Sequence, residues 1–132
     1  MRSLIYIIFL HAGLICSIPT GLSAQVTTDN VNAALKSGDA SKLSEYFNTS
    51  LDVNLPDTDQ TMSKSHASQV MKTFFKDNPP KSYTVNHVGS SREATKYIIG
   101  TYISGSKSYK TYLLLKETEG KYLIVQLQFE LE

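Results

Sequence analysis

Leu123-Ile124-Val125-Gln126-Leu127-Gln128-Phe129-Glu130-Leu131 decides the fold. It alternates apolar and polar residues with the period of two expected of a strand whose sheet buries one face. A turn at Glu117-Thr118-Glu119-Gly120-Lys121 precedes it. A two-residue turn there would force Glu119 to positive φ, which glutamate takes poorly, so a three-residue loop with Gly120 in the left-handed position is expected. That loop pairs Glu117 with Lys121 and sets Leu115 opposite Leu123, Leu113 opposite Val125, Thr111 opposite Leu127 and Tyr109 opposite Phe129. One face is then almost wholly apolar. The other carries Lys110, Tyr112, Leu114, Lys116, Tyr122, Ile124, Gln126, Gln128 and Glu130, and a one-residue slip would mix the two sets.

Working outward, Tyr97-Ile98-Ile99-Gly100-Thr101-Tyr102-Ile103 is apolar on both sides, as suits a central strand. Its turn at Ser104-Gly105-Ser106-Lys107 is clear, with the register left open. Tyr83 to Val88 opens this four-stranded meander, and the residues upstream supply its cover. Thr27 or Thr28 caps a first helix with Val31, Ala34 and Leu35 on one stripe, ended by Gly38. Asp39 caps a second, with Ala40, Leu43, Tyr46 and Phe47 inward. Leu51 to Leu55 alternates as a short strand, and Pro56 through Gln60 reads as a turn. Asp57 and Asp59 lack the later ligands and the glycine of a calcium loop. Ser63 caps a third helix with Ala67, Val70, Met71 and Phe74 at helical spacing, stopped by Asn78-Pro79-Pro80.

Residues 1–24 have the layout of a secretory leader: Arg2, an apolar run from Leu4 to Ile18, and the small-residue exit Leu22-Ser23-Ala24. Cleavage after Ala24 is expected, leaving a single domain over residues 25–132. Bulky Ile15 before Cys16 argues against lipid attachment, so the cysteine falls within the leader. The domain then has no thiol for a disulfide or a nucleophile. Losing Arg2 leaves twelve basic and twelve acidic residues, interspersed. That balance gives no footing for nucleic acid or, once the leader is gone, for a membrane surface. The expected address is the periplasm or exterior of a Gram-negative cell.

Helix, helix, short strand, helix and a bent meander is the element order of the nuclear transport factor 2-like α+β fold. Met62-Ser63-Lys64, Phe74-Phe75, Pro79-Pro80, Ile99-Gly100-Thr101-Tyr102, Ser104-Gly105 and Gly120-Lys121-Tyr122-Leu123-Ile124 resemble phrases of a family of small exported Bacteroidetes proteins of unknown function. These are turn and core residues, so they speak for fold and not for activity. The resemblance implies a cone, N-terminal helices on a curved antiparallel sheet, that in many relatives holds a small apolar ligand. It also implies dimerisation through the outer sheet face and, in enzymatic relatives, a carboxylate or histidine inside the cone.

The candidate chemistry is sparse. Glu93, Glu117, Glu119 and Glu130 lie at turns or on the polar face, so the sheet offers no buried carboxylate of the kind a proton-transfer enzyme needs. His66, in the first turn of the third helix, and His87, on the first meander strand, have no evident partner to orient them. No metal-ligand spacing appears and no cofactor is implied. Tyrosines are the richer set. Tyr46, Phe75, Tyr109 and His87 are the expected lining of a cone mouth. Tyr112, Leu114, Tyr122, Ile124 and Gln126 are expected on an outer face too apolar to be fully wetted, a homodimer patch. The reading is a non-enzymatic module for a small apolar or amphipathic molecule or a peptide. The rivals are an isomerase- or dehydratase-like enzyme using His66 or His87, and a structural dimerisation subunit with a filled cone.

Overall fold

A computed structural model describes residues 20–91 and 94–132. The expected leader features from Arg2 to Pro19, Cys16 among them, and Glu93 lie outside the described residues. Helix α1 spans Thr20–Ser37 and crosses the expected cleavage point, with Ala24 buried and its carbonyl accepting from Thr28 Oγ1 at 2.8 Å. Gly38 ends it at φ 65°, its N–H donating to the Leu35 carbonyl and the Asp39 N–H to that of Ala34. This is the double bond pattern of a left-handed helix stop. A side chain at Gly38 would also meet the Pro80 ring 2.8 Å away. Asp39 caps α2 (Ala40–Ser44) through Lys42 N, and Ser63 caps α3 (Lys64–Asp77) through His66 N, as the sequence predicts.

The strands are β1 (Phe47–Leu55), β2 (Thr58–Ser63), β3 (Ser82–Ser91), β4 (Thr95–Ser104), β5 (Lys107–Thr118) and β6 (Lys121–Leu131). They form one six-stranded sheet in the order β2-β1-β6-β5-β4-β3. The chain is thus α+β, three helices covering one face of a curved sheet, as expected. Two features go beyond the expectation. Thr58 to Ser63, read in part as a turn, is an edge strand paired with β1. Its residues apart from Met62 are mostly exposed, so no alternation marked it; the tight turn at Pro56-Asp57 and the partner strand hold it in place. β1 also runs parallel to β6, which joins the N-terminal hairpin to the meander.

The β5–β6 hairpin corrects the expected register. Its turn has two residues, Glu119 at φ 51° and Gly120 at φ 79°, pairing Thr118 with Lys121 and Leu115 with Ile124. A bulge at Val125 then shifts the phase, so that Leu113 faces Leu127 and Thr111 faces Phe129. Leu127 and Phe129 are buried inward as expected, whereas Leu123 and Val125 are turned outward and Tyr122 and Ile124 inward. Glu119 pays roughly 1 kcal/mol for left-handed backbone. Full burial of Ile124 stabilises by about 1.5–3 kcal/mol, which outweighs it. Because Tyr122 to Val125 is apolar on both sides, alternation there carries no phase information. The β4–β5 hairpin, whose register the sequence left open, pairs Ser104 with Lys107 across a two-residue turn with Gly105 at φ 58°.

The core lies between α1–α3 and the inner sheet face. Its aromatic centre is Phe74 and Phe75 of α3 against Tyr102, Tyr109 and Phe129 of the sheet. Phe74 sits 4.8 Å from Phe129 and 5.5 Å from Tyr109 between ring centroids, in tilted and edge-on contacts. Such pairs add about 0.5–1.5 kcal/mol each beyond area burial. Gly100 makes room for this layer: a Cβ there would lie 2.8 Å from both the Tyr83 ring and the Thr84 carbonyl. Tyr83 therefore lies flat across β4 towards Thr111.

Candidate functional site

The aromatic centre fills the depth of the cone, and a cleft of about 520 Å³ opens beside it. Three segments make its walls: Leu55-Pro56-Asp57-Thr58 at the β1–β2 turn, one side of α3 from His66 to Asn78, and Lys107 with Tyr109 at the start of β5. The floor is apolar, with Leu55, Phe74 and Tyr109 buried and Val70 packed against the core. Asp57, His66, Gln69, Thr73, Asp77 and Lys107 form an exposed polar rim. A volume in the range of ligand sites, an apolar floor and a few polar groups fit a small organic molecule.

Asn78, at the C-terminal end of α3, fixes the mouth. Its carbonyl accepts from Tyr102 Oη at 2.6 Å and its side-chain Oδ1 from Tyr109 Oη at 2.9 Å. Its own N–H and Nδ2 donate to the Phe74 carbonyl at 2.8 and 3.2 Å. One residue thus closes the last turn of α3 and ties it to β4 and β5. Burial lifts the Tyr109 phenol above its ordinary pKa, and the nearby Asp57 charge adds to the rise. Burial raises Tyr102 too, with a smaller push from Tyr109. Deeper in the core, burial pushes Tyr83 up to about 12. The Thr111 hydroxyl tempers that rise without closing a full hydrogen bond, and both oxygens remain buried and unsatisfied.

The residues expected at a cone mouth do not come together. Tyr109 lines the cleft floor; Phe75 is buried behind it and borders a separate shallow depression by Gly38 and Asp39. Tyr46 packs on the core from the α2–β1 corner. His87 follows a bulge in β3 and lies exposed on the outer face, its Nε2 3.3 Å from Tyr97 Oη. Plain alternation would set His87 on the face of Tyr83 and Val85, and the bulge turns it to the opposite side. His66, by contrast, lies on the cleft rim. Sequence reasoning missed Asn78, Asp57 and Lys107, which it read as helix stop, turn and hairpin residues. For Asn78 the only signal was its place between a helix end and Pro79-Pro80.

The expected dimer patch also divides. Tyr112, Leu114 and Gln126 are half-buried on the outer face, whereas Tyr122 and Ile124 belong to the core. Their places outside are taken by Leu123 and Val125. With Tyr97 and Ile99 of β4, which pair with Leu114 and Tyr112, they make a continuous apolar area across three strands. The Tyr97 and Tyr112 rings stack at 6.4 Å. Among the described residues, no three or more His, Cys, Asp or Glu side chains gather as a metal site would require.

Solved structures with this arrangement include proteins of the DUF4783 family from Bacteroides uniformis and Bacteroides ovatus. The first is 23% identical with TM-score 0.75, covering 79% of this chain and 95% of its own. The second is 26% identical with TM-score 0.74, covering 78% and 93%. The designed protein Rd1NTF2_04 with a long sheet matches at 16% identity and TM-score 0.67, over 81% of this chain and 99% of its own. The fold is therefore nuclear transport factor 2-like. No curated protein matches the chain. The model of the family described as a domain of unknown function, DUF4783, matches residues 28–130, from within α1 almost to the end of β6, and the chain belongs to that family.

Proposed function

We propose that this domain is an exported, non-enzymatic binding module that holds a small apolar or amphipathic molecule in the cleft beside α3. One observation carries the reading: a cleft of about 520 Å³ whose floor is buried apolar surface and whose mouth is held by the Asn78 hydrogen bonds. A preformed site of this kind binds without first spending free energy on ordering itself. The leader-like residues 1–24 support export. His66 is exposed, and among the described residues its ring has no hydrogen bond to a carboxylate, which supports binding over proton transfer. The experiment is native mass spectrometry of the protein purified from its own cells, beside a Thr73→Trp variant that fills the cleft from an exposed position. A small molecule retained by the wild type and lost from the variant, at equal melting temperature, is the expected result. A molecule retained equally by both places binding elsewhere, and its absence from both removes the support for this site.

We further propose a homodimer through the outer sheet face. Tyr97, Ile99, Tyr112, Leu114, Leu123 and Val125 form one half-exposed apolar area there, which in water favours a partner. A two-fold dimer needs only that one self-complementary patch.

A further inference from the structure

We propose that the cleft beside α3 takes an organic cation, a primary amine carried on a short apolar body. This rests on the binding reading above and adds the ligand's charge to it. Four titratable side chains stand on the rim: Asp57 at the β1–β2 turn, His66 and Asp77 at the two ends of α3, and Lys107 at the start of β5. With the imidazole neutral they sum to a net negative charge. Among the described residues neither carboxylate is engaged by an ion pair, and Asp57 accepts only from the Thr58 hydroxyl at 3.3 Å. Asp57 lines the same cleft as Tyr109, and its charge adds to the rise of that phenol's pKa.

The two remaining features select the rest of the ligand. Phe74 and Tyr109 line the same cleft as the two carboxylates and offer aromatic carbon, a surface that attracts both an apolar body and an ammonium group. The buried Tyr109 hydroxyl is already given to Asn78 Oδ1, so the floor presents no free donor to an anion. An ammonium group supplies a donor-only positive charge to two carboxylates that, among the described residues, have no cationic partner. Lys107 is the one competing cation on the rim, held at a distance beyond an ion pair from either aspartate.

The test is an NMR titration of the ¹⁵N-labelled protein at pH 7 with three ligands of like shape: 3-phenylpropylammonium, 3-phenylpropan-1-ol and 3-phenylpropionate. Amides of Asp57, Thr58, Asp77, Asn78 and Lys107 report on the site. The amine is expected to bind more tightly than the alcohol, and the carboxylate most weakly. Asp57→Asn and Asp77→Asn, both at exposed positions, should each weaken the amine about two- to fivefold and leave the alcohol unmoved. Lys107→Met should tighten the amine. If the alcohol or the carboxylate binds as well as the amine at these same amides, the cation is wrong and the binding site stands. If none of the three moves them, both fall together.

Discussion

Replacing Asn78 by alanine tests whether one side chain holds the helical cover to the sheet. The substitution removes the acceptor of the Tyr109 hydroxyl at 2.9 Å and the Nδ2 bond to the Phe74 carbonyl at 3.2 Å. It leaves the backbone bonds to Tyr102 and Phe74 in place. Tyr109 is only 3% exposed, so its orphaned hydroxyl costs about 1–3 kcal/mol. The lost Nδ2 bond adds about 0.5–1.5 kcal/mol, giving an expected total of about 2–4 kcal/mol. Tyr109→Phe alone should cost less, about 0.5–1.5 kcal/mol, because Asn78 is half-buried at the cleft mouth and water can replace the phenol. In the double variant the two losses should fall short of their sum by roughly 1 kcal/mol, since both remove the same contact. Urea unfolding followed by circular dichroism reads all three, with an unchanged slope expected. A cost below about 0.5 kcal/mol for Asn78→Ala, or strict additivity in the cycle, would refute the latch.

Four further outcomes follow from the same structure. Gly100→Ala should cost about 1–3 kcal/mol in the same assay, because its methyl group meets both a ring and a backbone carbonyl at 2.8 Å. Glu119→Asn should raise the melting temperature by about 4–8 °C, the equivalent of roughly 1 kcal/mol in a domain this size, by easing the left-handed turn residue. Tyr83 binds its proton more tightly when folded, about 12, than the ordinary 10.0 of an unfolded chain. Its contribution is therefore intact below pH 10 and is lost as pH rises towards 12, at about 1.4 kcal/mol per pH unit, which alkaline unfolding curves of wild type and Tyr83→Phe should separate. Tyr112→Glu with Leu114→Glu should convert a dimer to a monomer in sedimentation experiments; a wild type already monomeric at high concentration rules the interface out.

Legibility followed the number of independent signals at each place. The helix caps at Asp39 and Ser63 and the stop at Gly38 were readable because each joins a special residue to an apolar stripe. The inner positions of Leu113, Leu127 and Phe129 were readable from alternation. Val125 and Asn86 were not, because a bulge inserts one residue and inverts the face of everything beyond it without changing composition. That misplaced Tyr122, Ile124 and His87. The cleft was hidden for another reason: Asp57, Asn78 and Lys107 are distant in sequence and meet only once the sheet and α3 have packed. Locally each has a sufficient explanation as a turn or helix-end residue, so nothing marks it as part of a shared wall.

The position of β6 has a consequence for how the chain comes to be folded. It is the seam of the sheet, flanked by β1 on one side and β5 on the other, yet every other element leaves the ribosome before it. Until β6 arrives, the β1–β2 hairpin has no further strand beside it and the β3–β5 ribbon has a bare edge. Assembly must therefore wait for late synthesis, and the contact between β1 and β6 spans most of the domain, which slows it further. The same arrangement makes any truncation within β6 split the architecture into two pieces, neither of which can close.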